Sequence, residues 1–155
     1  MQKIITGLKK EGLIYVVDNH RLYRDIIKLA LEQEGYTVRL FEDGSHVLKA
    51  LTVNKSFRGY MPDLIICELN MRAMDGLVLL DKIKKHFYLQ NPIPFLFMTS
   101  SENNNRIEAA QERSGNLVFD KRILLHPLAE WYTDFYSNTN LHNPFSNGLD
   151  QTVVK

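Results

Sequence analysis

The stretch PDLIICELNMRAMDG, residues 62–76, decides the reading of this chain. Leu64-Ile65-Ile66-Cys67 is apolar almost without a break, the pattern of a strand covered on both faces. It stops at a carboxylate, Glu68. After a short polar connection, Asp75-Gly76 opens a helix with Leu77, Leu80 and Ile83 inward and Lys82, Lys84 and Lys85 outward. The unit is strand, loop, helix, with an acid at the strand's carboxyl end.

The same unit recurs on either side. Upstream, Leu13–Val17 is a compact run of β-formers that stops at Asp18-Asn19-His20. A helix follows with Leu22, Ile26, Leu29 and Ala30 on one face and Gly35 as its stop. Thr37–Phe41 is the next strand, and Asp43-Gly44 leads into a short helix through Val47, Leu48 and Leu51. The polar, basic segment Thr52–Tyr60 reads as a loop. Downstream, Phe95–Met98 is a strand ending at Thr99-Ser100-Ser101, a polar helix runs from Asn104 to Arg113, and Leu117–Phe119 is a short strand before Lys121. Pro127 suits the first turn of a last helix with Leu128, Trp131, Tyr132 and Phe135 as its stripe. Five βα units in series predict an α/β fold: a doubly wound, five-stranded parallel sheet with right-handed crossovers and helices on both faces.

Length and composition fit one such domain. The 155 residues carry a formal charge of +1, which argues against a chain whose main work is coating nucleic acid. One cysteine, Cys67, precludes an internal disulfide framework and suits a reducing compartment. The longest apolar runs, such as Leu13–Val17, are far too short to span a membrane. The N-terminal stretch is too polar for a secretory signal, so the expected location is the cytoplasm. We divide the chain into a lead at 1–11, a domain at 12–136 and a polar, Asn-rich tail at 137–155 that is flexible or held by a partner.

In an open parallel sheet, ligands bind outside the carboxyl ends of the strands, where strand order reverses. Those ends carry Asp18 and Asn19, Glu68, Thr99 and Lys121. Two carboxylates, a hydroxyl and an ammonium at one mouth suit a phosphoryl group or a divalent cation.

From Gly12 to Tyr136 the chain resembles the receiver domain of bacterial two-component response regulators. VVDN at residues 16–19 resembles the family's acidic first-strand motif, and residues 62–76 its phosphoacceptor segment with the MDG that opens the third helix. Thr99 matches the switch hydroxyl and Lys121 the family's lysine, at suitable spacings. The resemblance implies the flavodoxin-like strand order 2-1-3-4-5 and a signalling role in a two-component system or phosphorelay.

The departures fall in the reaction and signalling machinery. Glu68 stands where the family accepts phosphate on Asp, and Asn19 where the second first-strand acid stands. Arg72 and Arg122 replace two prolines, and Val118 replaces the aromatic switch residue, with Phe119 beside it. The family pocket holds three carboxylates and a lysine, a net of −2 that Mg²⁺ neutralises. Here Asp18, Glu68 and Lys121 sum to −1. The expectation is no required cofactor and at best a weak Mg²⁺ site formed by Asp18, Asn19, Glu68 and the Asn70 carbonyl. The extra methylene of Glu68 shifts its carboxylate by roughly 1 Å, an error that can cost about 10²-fold in phosphoryl transfer. The longer side chain is placed to reach Lys121 and Thr99, imitating part of an acyl phosphate's contacts or simply closing the pocket with an ion pair.

The expected function is therefore that of a stand-alone, atypical receiver, not an enzyme, acting through protein contacts. Only 19 residues follow Tyr136, too few for a helix-turn-helix effector. The expected partners are a sensor kinase, a phosphotransfer protein or an output protein, met through residues 104–136, with neither nucleic acid nor membrane involved. Two alternatives stand: a receiver still phosphorylated by a histidine kinase with Mg²⁺, and a structural dimer or scaffold. The five histidines show no metal-ligand spacing, Cys67 reads as core, and the Lys82–His86 cluster reads as a solvated helix face.

Overall fold

The computed structural model describes residues 11–56, 60–87, 92–114 and 118–124. Five parallel strands, β1 (Leu13–Val17), β2 (Thr37–Phe41), β3 (Leu64–Glu68), β4 (Phe95–Thr99) and β5 (Val118–Asp120), lie in the order β2-β1-β3-β4-β5. Between them run four helices, α1 (Arg21–Gln33), α2 (Gly44–Ser56), α3 (Gly76–His86) and α4 (Asn104–Ser114), and a 3₁₀ turn, Lys121–Leu124, follows β5. The doubly wound, flavodoxin-like α/β sheet is the one expected. The expected last helix, the 137–155 tail and residues 1–10 lie outside the described residues, as do the far parts of the 104–136 face.

Side-chain alternation along the strands sorts the core into two layers. Tyr15, Val17, Ile65, Cys67, Phe95 and Phe97 join Val47, Leu51, Leu79, Leu80, Ile83 and Ala110, so this layer lies under α2, α3 and α4. Ile14, Val16, Leu64, Ile66, Leu96 and Met98 join Ile27 and Leu31 of α1 on the other face. The three central strands are buried almost throughout, whereas β2 at the edge alternates exposed and covered positions.

Two readings need correction. In α1 the inward residues are Ile27 and Leu31, while Leu22 and Leu29 are 42% and 38% exposed. The helix is turned by its polar anchors: Arg24, on the stripe of Ile27 and Leu31, donates from its guanidinium to the Asp18 carbonyl at 2.5 Å. Similarly, Thr52–Ser56 is not loop but the last turn of α2. Its polar side chains do structural work there, since Thr52 Oγ1 donates to the Leu48 carbonyl and Asn54 Nδ2 to the buried Tyr15 hydroxyl at 2.9 Å. In α3, Leu80 and Ile83 are buried and Leu77 packs partly buried on the same core, as expected, and Leu79 joins them.

The buried place of Leu79 follows from how α3 starts. Asp75 caps the helix, its Oδ1 accepting from the Leu77 N–H at 2.9 Å. The next residue, Gly76, presses its backbone against the end of β3. A Cβ there would stand 2.6 Å from the Glu68 carbonyl and 2.9 Å from the Phe97 ring, so only glycine permits the approach. The helix thereby faces Gly76, Leu79, Leu80 and Ile83 inward and pins the strand that ends in Glu68.

Candidate functional site

Asp18 leaves β1 just past its last residue, Glu68 ends β3, and Lys121 follows β5, so the topology carries all three to one edge of the sheet. Their side chains meet. Lys121 Nζ lies 2.8 Å from Asp18 Oδ2 and 2.5 Å from Glu68 Oε2. All three are buried, at 2% exposure for Asp18, 5% for Glu68 and 1% for Lys121. The remaining carboxylate oxygens also have donors: Asp18 Oδ1 accepts from the His20 N–H at 2.8 Å and Glu68 Oε1 from the Asn70 N–H at 2.9 Å.

Burying an ammonium favours its neutral form, but hydrogen bonds and charge from Asp18 and Glu68 outweigh that and hold the Lys121 pKa above the ordinary lysine range. The site is a charged triad, one cation between two anions. Cys67, one residue before Glu68, is fully buried; burial and the neighbouring carboxylates push its thiol well up, so it offers no nucleophile.

Thr99 is buried at the end of β4. The Thr99 Oγ1 accepts from the Ser101 N–H at 3.1 Å. Of the predicted reach of Glu68, the Lys121 contact is present and no hydrogen bond to Thr99 is found among the described residues. Asn19 and Asn70 lie beside the triad with exposed side chains.

A divalent ion would need oxygens converging on a point, and the Lys121 ammonium already stands where the two carboxylates converge. Among the described residues no group of three or more His, Cys, Asp or Glu side chains could hold a metal ion. Asp18 and Glu68 are the two carboxylates that would hold such an ion, and Lys121 lies between them.

Several contacts were not anticipated. The Tyr23 ring of α1 covers the ammonium, with Lys121 Nζ 4.1 Å from its centroid. Arg106 of α4 donates to Asp75 Oδ2, tying α4 to the cap of α3, and Arg113 pairs with Asp81 at 2.7 Å. Arg122 chelates Asp120 and reaches Glu102 at 2.9 Å, joining the end of β5 to the β4–α4 connection. The one advance signal was that Arg122 departs from the family's proline. Asp43 similarly joins two elements, accepting from the Ser45 N–H at 2.7 Å and the Met74 N–H at 3.2 Å.

The family model for the response regulator receiver domain matches residues 14–130, and the chain belongs to that family. It is 30% identical over 104 residues to the DNA-binding transcriptional regulator NtrC of Escherichia coli K12, covering 67% of this chain and 20% of NtrC. The chain thus spans about a fifth of the length of that relative. It is similar to the N-terminal domain of a response regulator receiver protein from Methanoculleus marisnigri JR1, at 25% identity and a TM-score of 0.60 over 79% of this chain and 94% of that one. The Mn(2+)-bound form of the response regulator Rcp1 shares the fold, at 22% identity and a TM-score of 0.58, over 86% and 99% of the two chains. Among the described residues, no helix is long and apolar enough to cross a membrane.

Proposed function

We propose that this chain is an atypical receiver in two-component or phosphorelay signalling that works through protein contacts, with phosphorylation at the acceptor position reduced or absent. The observation that carries the reading is the 2.5 Å contact between Glu68 Oε2 and Lys121 Nζ inside a buried triad whose four carboxylate oxygens all have donors. In-line attack on a phosphodonor requires a carboxylate oxygen free to meet phosphorus and a cation free to take up the developing charge. Here Glu68 and Lys121 satisfy each other. Rcp1 is seen with Mn²⁺ bound, whereas the acid that would help hold an ion here is replaced by Asn19, so a metal contributes weakly at best.

Signal then passes through a surface whose described part is α4 and β5. We assign the partner, a sensor kinase, phosphotransfer protein or output protein, to this 104–136 face. Thr99 is turned to Ser101, and Val118 stands where an aromatic would respond to it, so the face works in one fixed arrangement.

The test is direct. The protein is incubated with acetyl phosphate and Mg²⁺ and its intact mass is measured; the expected product is unmodified chain. A stoichiometric phosphoryl adduct mapped to Glu68 or Asp18 would overturn the proposal and favour a receiver that still accepts phosphate.

A further inference from the structure

An ammonium has three N–H donors and demands three partners when buried. Lys121 spends one on Asp18 Oδ2 and one on Glu68 Oε2. The third direction is occupied by the face of the Tyr23 ring, whose negative quadrupole attracts a cation within about 6 Å of the centroid. At 4.1 Å the contact is well inside that limit.

Tyr23 is itself held in place. The His20 ring meets it edge-on, with centroids 6.2 Å apart and planes at 89°. The next residue, Arg24, is fastened to the Asp18 carbonyl. The start of α1 is thus fixed to the end of β1, and the ring is laid over the triad. Tyr23 is half-buried and lies one turn before Ile27, on the same face as Ile27 and Leu31, which carries its ring to the end of β1.

We infer that Tyr23 is a positioning residue, which completes the shell of the Lys121 ammonium and keeps it between Asp18 and Glu68. This inference rests on the reading of the pocket as closed and goes beyond it by naming what holds it closed. It makes the side chain of α1, and not only the strand ends, part of the site. A lysine so held does not swing toward an incoming anion.

The experiment compares the full chain with Tyr23→Phe and Tyr23→Leu by side-chain NMR of the Lys121 ammonium, with thermal melts to check folding. Tyr23→Phe keeps the ring face and should leave ammonium proton exchange as in the parent. Tyr23→Leu keeps apolar bulk but removes the quadrupole and should speed that exchange on the order of tenfold, the equivalent of a desolvated cation–π contact. Unchanged exchange in folded Tyr23→Leu would overturn the inference, as would an equal acceleration in Tyr23→Phe, which would assign the effect to the hydroxyl. Phosphorylation of the parent chain would instead sink the closed-pocket reading while leaving the Tyr23 contact measurable, so the two failures are distinguishable.

Discussion

Replacing Lys121 by Met keeps the length and apolar stem of the side chain, and the ring of Tyr23 can still pack on it. What disappears is the cation between two carboxylates whose side chains are only 3% and 5% exposed. Each would retain one backbone donor, from His20 and Asn70, which is too little for a buried anion. Removing one partner of a buried ion pair costs about 3–5 kcal/mol, because the other charge is left uncompensated. For a domain stable by about 5–15 kcal/mol that is a large share, equivalent to a fall of roughly 10–20 °C in Tm. Urea unfolding of both proteins at neutral pH should therefore show a gap of about that size. A loss below about 1 kcal/mol would refute the reasoning, because it would mean the triad is not a buried, mutually compensating set.

Gly76→Ala should cost about 1–3 kcal/mol by urea unfolding, because the added methyl meets the Glu68 carbonyl at 2.6 Å and must push α3 off β3. The Asp43 carboxyl, which burial alone would raise, is held below the usual carboxylate range by its Ser45 and Met74 hydrogen bonds. Its contribution is therefore full above the ordinary carboxylate pKa and lost as pH falls through the lowered one. Asp43→Ala should cost about 1 kcal/mol near neutrality and less at the acid end, a convergence visible in denaturation midpoints measured from pH 7 downward.

Much of this site is legible in the chain itself. The strands announce themselves as short apolar runs, and each ends on the residue that matters: Asp18 after Val17, Glu68 after Cys67, Thr99 after Met98. The sheet-edge rule then gathers them without any coordinates. Three things escaped, each for a physical reason. The face of α1 is set by Arg24 and Tyr23, polar anchors that a hydrophobic stripe does not weigh, so Leu22 and Leu29 seemed inward. The end of α2 is polar because it is solvated on one side and tied to Tyr15 by Asn54 on the other, which reads locally as loop. The Thr99 hydroxyl is engaged by the Ser101 N–H in a turn two residues on, a local contact that the strand-end rule does not weigh.

The same geometry says how the pocket could be reopened. Shortening Glu68 to Asp withdraws its carboxylate by about one C–C bond, roughly 1.5 Å, which breaks its contact with Lys121. Asn19→Asp returns the acid that a divalent ion needs. The decisive measurement is phosphoryl incorporation, by intact mass, into the parent chain and into the Asn19→Asp/Glu68→Asp double variant, side by side with acetyl phosphate and Mg²⁺. The account predicts an adduct in the double variant and none in the parent; equal incorporation in both would contradict it.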